Sequence, residues 1–99
     1  LAKTTQLRTY TVRDGMLDAW VERWRREVVP LRPRLGFTVD GAWADRERSR
    51  FVWLLSYDGP GTFAERNAAY WASPEREAMD LDPDDYLLHT DDRVVERVR

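Results

Sequence analysis

The stretch RFVWLLSY (Arg50–Tyr57) is apolar on both sides of an extended chain. With a side-chain period of two, Phe51, Trp53, Leu55 and Tyr57 fall on one face, and Val52 and Leu54 on the other. An antiparallel strand with one wet face alternates apolar with polar residues, so a strand that is apolar on both faces has to be covered on both. Helices packed on one side of it would leave the other side in need of a partner.

Reading forward, DGPG (Asp58–Gly61) is a turn. TFAE (Thr62–Glu65) is a capping box that opens a helix running to about Ala72. Ser73 and Pro74 then supply an N-cap and a first helical residue for a fresh start. Reading backward, Asp45–Ser49 is a polar hairpin connection. FTVDGAW (Phe37–Trp43) before it is a strand with Phe37, Val39 and Trp43 expected on one face. Leu17, Trp20, Val21, Trp24, Val28, Leu31 and Leu35 form one helical stripe, with Glu22 and Arg26 paired on the outside. Interior proline costs about 3 kcal/mol, so Pro30 and Pro33 should interrupt this helix. Leu31 and Leu35 nevertheless stay in phase, which predicts a long helix kinked or restarted near Pro30 and closed by Gly36 at C′. TQLRTYTV (residues 5–12) sets Leu7, Thr9 and Thr11 against Arg8, Tyr10 and Val12, the pattern of a first strand, and RDG (Arg13–Gly15) breaks it. RVVERV (Arg93–Val98) is expected to close the chain as a fourth strand.

The order βαββαβ over residues 1–99 reads as a single ferredoxin-like α+β sandwich, a four-stranded antiparallel sheet with its helices on one face. No further element is left to cover the second face of the third strand. The simplest cover is the same sheet of a second copy, which predicts a homodimer joined through its sheet faces.

Ninety-nine residues with five Trp, four Tyr and three Phe make a small domain rich in large aromatics, a composition suited to a pocket or an interface. The net charge of −2 and the single short basic cluster Arg46–Arg50 argue against nucleic acid. The absence of cysteine removes disulfides and thiolate metal sites. No apolar run reaches the ~18–20 residues of a membrane span and no signal segment opens the chain, so a cytoplasmic protein without membrane contact is expected.

LRTYTVRDGMLDAWVERWRREVVPLRPRLGF (Leu7–Phe37) resembles the opening of NIPSNAP domains, with an LRxY strand, a Gly turn and a long helix ending before GF. LLSYDG (Leu54–Gly59) and AERNAAYWASPE (Ala64–Glu75) are similar to the family's later strand, acidic turn and second helix. The resemblance spans about Gln6 to Val98. It implies a dimeric α/β barrel, in which two ferredoxin-like sheets pack face to face and a ligand sits between each sheet and its helices. Members of that superfamily include cofactor-independent monooxygenases, lactone isomerases, polyketide cyclases and haem-degrading enzymes. The family carries no catalytic signature to transfer, and superfamily membership does not transfer a mechanism.

The residues themselves offer candidates. His89, the only histidine, is the one side chain that titrates near neutrality, as a base or ligand or as a hydrogen-bonded structural group. Tyr10, Tyr57 and Tyr70 can donate to a carbonyl or phenolate, or simply close the core. Arg8, on the Tyr10 face, would fix an anion or form a salt bridge at a dimer interface. Trp20 and Trp24, with Trp53 and Trp71 approaching them, make either a bulky core or an apolar box for an aromatic or polyketide-like ligand. No nucleotide loop, HExxH or Ser-His-Asp spacing occurs, and no cofactor is expected.

DLDPDDYLLHTDD (Asp80–Asp92) sets six aspartates around His89 and partly fits a calcium loop. Position six, which requires Gly, is Asp85, and Pro83 stiffens the run, so no metal is expected. The stretch reads as a connector that tucks Tyr86, Leu87 and Leu88 under the sheet and delivers His89 to the mouth of the last strand. The expected function is a homodimer binding a small, largely apolar or aromatic molecule, with cofactor-independent oxygenation, isomerisation or cyclisation as its chemistry. The competing reading is a non-catalytic interaction module whose interior is fully packed.

Overall fold

A computed structural model describes residues 3–99, leaving Leu1 and Ala2 outside it. Four strands, β1 (Thr4–Val12), β2 (Phe37–Asp45), β3 (Arg50–Tyr57) and β4 (Leu87–Val95), form one antiparallel sheet in the order β2-β3-β1-β4. Helices α1 (Leu17–Arg23), α2 (Val29–Arg34), α3 (Phe63–Ala72) and α4 (Pro74–Ala78) cover one face, giving the ferredoxin-like sandwich read from the sequence. Among the described residues no helix is long and apolar enough to cross a membrane.

The two faces of β3 separate as its pattern demands. Phe51, Trp53, Leu55 and Tyr57 are buried beneath the helices, while Val52 and Leu54 lie half-buried on the outer face. In β1, Arg8, Tyr10 and Val12 join the buried side, and Leu7 pairs with Leu54 on the outside.

The first helical region runs from Leu17 to Arg34 without a break in the chain's helical course, through a π-helical segment at Trp24–Val28. There the Val29 N–H reaches back to the Trp24 carbonyl, a five-residue step. The disturbance therefore precedes Pro30 rather than falling on it. In a regular α-helix the Pro30 ring would collide with the Arg26 carbonyl, and the wider turn just upstream gives it room. Trp20, Trp24, Val28, Leu31 and Arg32 all stay buried against the sheet across this segment. Gly36, at φ +97°, ends the helix at C′, where a side chain would be strained. The capping box at Thr62 and Glu65 is formed in both directions, and Ser73 caps α4.

Three sequence expectations are corrected. Strand β2 carries a bulge between Val39 and Gly41, so Trp43 pairs with Val52 and lies on the outer face, opposite Phe37 and Val39. The bulge is held by Asp40, which accepts from the Ser56 hydroxyl and pairs with Lys3 at 3.6 Å. The indole of Trp43 folds back over Gly41, where an added Cβ would meet its ring at 2.9 Å. Strand β4 begins at Leu87 and ends at Val95, so much of the supposed acidic connector is edge strand, and Val98 is exposed beyond it. Leu87 is buried as expected, but Leu88 is 60% exposed.

Candidate functional site

Between the helices and the sheet lies a cavity of about 240 Å³. Its walls come from both layers: Tyr10 and Trp53 from the sheet, Trp20 and Trp24 from the first helical region, Tyr70 and Trp71 from α3. The rings meet edge to face, with Trp24 and Trp53 at 5.4 Å and Tyr10 and Trp20 at 5.9 Å between centroids.

Three arginines also line it. Arg8, Arg32 and Arg76 are only 5%, 2% and 6% exposed. Arg8 is placed by the alternation of β1 and donates to Gln6 Oε1 at 3.1 Å and to the Tyr10 hydroxyl at 3.3 Å. Arg32 lies one turn beyond Val28 and donates to Asn67 Oδ1 at 2.8 Å. Its guanidinium is 3.5 Å from the Tyr70 ring centroid and 4.7 Å from that of Phe37. Arg76, whose N–H the Ser73 cap holds, donates to the Leu81 carbonyl at 3.0 Å and covers Trp71 at 4.3 Å.

Nothing of opposite charge is buried with them. No Asp or Glu is buried among the described residues. Asp92 and Asp84 stand at the cavity's exposed edge, and Asp92 reaches Arg8 only at 3.9 Å while 41% exposed. Such a solvated pair is worth at most about 1 kcal/mol, against several kcal/mol for desolvating each guanidinium. Burial pushes Arg32 down to about 10, with Arg8 and Arg76 adding to the fall, and it stays charged at neutral pH. Burial also pushes the Tyr70 phenol up, although Arg32 and Arg76 pull it partly back, so it remains a donor.

The unpartnered buried polar atoms of the lining residues are all donors. The indole nitrogens of Trp20, Trp24 and Trp53 and Nε of Arg32 are buried and have no hydrogen-bond partner among the described residues. A buried N–H without a partner costs about 1–3 kcal/mol, and all four belong to residues lining this one cavity.

The remaining candidates lie elsewhere. Tyr57 donates to the Pro60 carbonyl, accepts from Arg66 at 3.3 Å and does not line the cavity. His89 pairs with Thr11 across the β1–β4 ladder and is exposed on the outer face, not at the cavity mouth. Asp82 caps a short turn at Pro83–Asp85, and among the described residues no three His, Cys, Asp or Glu side chains converge to hold a metal. Sequence reasoning missed Arg32, Arg76 and Asn67. Arg32 carried a usable signal, standing four residues after Val28 on the apolar stripe, whereas Arg76 and Asn67 carried none.

Sheet order, helix placement and an aromatic cavity between the layers define a ferredoxin-like α+β domain. The chain belongs to the NIPSNAP family, whose model matches residues 5–98. Among solved structures it is similar to a NIPSNAP domain protein from Burkholderia xenovorans, at 18% identity and TM-score 0.81, covering 96% of this chain and 94% of that one. A NIPSNAP family protein from Agrobacterium tumefaciens gives 16% identity and TM-score 0.83, covering 98% and 89%. A candidate antibiotic biosynthesis monooxygenase from Nitrosomonas europaea gives 13% identity and TM-score 0.72, covering 97% and 90%. Likeness at these identities is likeness of fold. No curated protein matches the chain.

Proposed function

We propose that this NIPSNAP domain is a homodimer, joined through the outer faces of its sheets, in which each subunit binds a small, largely aromatic molecule between sheet and helices. The observation that carries the binding reading is the cavity of about 240 Å³ lined by three tryptophans with unpartnered indole N–H groups. Drug-sized ligands occupy about 300–1,000 Å³, so the molecule here is smaller, with one or two rings. The dimer reading rests on Leu7, Val52 and Leu54, which leave apolar surface on the outer face that no helix covers among the described residues.

Where chemistry follows binding, it is of the cofactor-independent kind: oxygenation, isomerisation or cyclisation of an enolisable ring compound. Tyr10 and Tyr70 are the cavity's phenols, and fixed donors that face developing negative charge are the usual largest contribution to such reactions. The fold shared with the candidate monooxygenase from Nitrosomonas europaea is in keeping with this class. His89 and Tyr57 have no part in it, since neither lines the cavity.

Four of the five tryptophans line the cavity, so their emission reports on its contents. Titrating a panel of one- and two-ring aromatic compounds should give at least one saturable change in tryptophan fluorescence. A flat response across the panel up to millimolar concentration would favour the interaction-module reading instead.

A further inference from the structure

We infer that the cavity's ligand is an anion: a planar one- or two-ring compound bearing a delocalised oxyanion, carboxylate or enolate, held among Arg8, Arg32 and Arg76. This rests on the reading of the cavity as a ligand site and adds the charge of what fills it.

Three observations converge on the charge. Three guanidinium groups, each more than nine-tenths buried, line one cavity with no buried carboxylate among the described residues. The cation–π contacts of Arg32 with Tyr70 and Phe37, and of Arg76 with Trp71, spread positive charge over ring faces but do not neutralise it. The orphaned side-chain atoms of the lining residues are all donors, three indole N–H groups and Arg32 Nε, so a molecule that satisfies them has to bring acceptors. A neutral amide or alcohol also brings donors, which gain nothing beside the arginines. A carboxylate or enolate brings only acceptor lone pairs, in a plane that a guanidinium matches well. The aromatic walls then take the ring.

A core role for the same arginines would look different. Structural buried arginines sit on carboxylates, because an unpaired buried ion is strongly destabilising. Here the hydrogen-bond partners are neutral, the Asn67 amide, the Leu81 carbonyl, Gln6 and the Tyr10 hydroxyl, and the carboxylate that reaches Arg8, Asp92 at 3.9 Å, is 41% exposed.

The test compares acids with their amides of the same shape, by calorimetry on the unaltered protein: benzoate against benzamide, cinnamate against cinnamamide, 2-naphthoate against 2-naphthamide. The expected result is that the tightest-binding acid exceeds its amide by tenfold or more, and that Arg32→Met narrows the gap to less than threefold. Phenolate and enolate arms, 2-naphthol and a cyclic 1,3-diketone titrated above and below their own pKa values, distinguish the two sources of oxyanion. Amides binding as tightly as acids would overturn the anion while leaving the aromatic ligand standing. Failure of both members of every pair would overturn the ligand reading itself, and the anion with it.

Discussion

Replacing Arg32 with methionine is expected to raise the melting temperature by about 4–8 °C while weakening the binding of an anionic aromatic compound at least tenfold. The direction follows from what the guanidinium gives and costs in the unliganded protein. It gains a hydrogen bond to Asn67, about 1.5–3 kcal/mol for a charged donor, and ring contacts worth about 0.5–2 kcal/mol each. Against these stand a desolvation cost of several kcal/mol and repulsion from Arg8 and Arg76. Methionine keeps the apolar stem in contact with Tyr70 and Phe37 and removes the buried charge. Even buried ion pairs and triads, when replaced whole by apolar residues of similar volume, often leave stability unchanged or raise it by about 1–4 kcal/mol. Arg32 has no buried acid to leave behind among the described residues. A net gain of about 1 kcal/mol corresponds to the stated shift in a domain of this size. Differential scanning calorimetry of the two proteins measures it. A fall of the same size would mean that Arg32 is a structural tie rather than a binding group held at a cost.

The substitution Leu54→Asp is expected to turn the proposed dimer into a folded monomer. Leu54 stands opposite Leu7 on β1 and Gly41 on β2, at the middle of the outer face, and is only half-buried within one chain. In an isolated subunit an aspartate there meets water at little cost. In a face-to-face dimer it would be a buried carboxylate without a partner, a change that costs about 3–5 kcal/mol when buried pairs are broken in this way. Light scattering at micromolar concentration should give twice the chain mass for the unaltered protein and the chain mass for the variant, with unchanged far-UV circular dichroism. A monomeric unaltered protein would remove the dimer from the proposed function.

Where side-chain pattern controls structure, the sequence was readable. The boundaries and both faces of β3 follow from period two, the start of α3 from the Thr62 and Glu65 box, and the close of α2 from Gly36. Backbone pairing controls the places that were misread. Aspartate and histidine have poor strand preference, so LLHTDDRVV does not look like a strand. It is one because it is an edge strand paired along β1, and charged residues suit an exposed edge. The bulge at Asp40 turns Trp43 to the other face, and one extra residue in a strand leaves no mark on composition.

The cavity divides in the same way. Tyr10, Trp20, Trp24 and Trp53 were visible because apolar stripes point inward, and Arg8 because it shares the face of Tyr10. Arg32, although in phase with the apolar stripe, and Arg76 were passed over, because a charged residue in a helix is normally read as solvated. Their burial depends on partners from other elements: Asn67 and Tyr70 for Arg32, and the Leu81 carbonyl for Arg76. His89 drew attention by being unique in the chain, and chemical rarity says nothing about which face of a strand a residue occupies.

The most direct test is the indole region of a ¹⁵N–¹H correlation spectrum, in which the five tryptophans give five resolved N–H signals. On titration with 2-naphthoate, the signals of Trp20, Trp24 and Trp53 should move together and saturate, because their N–H groups gain an acceptor. Trp43, 58% exposed on the outer face, should stay fixed. Movement of Trp43 alone, or none in the three buried indoles at saturating ligand, would contradict a binding cavity between sheet and helices.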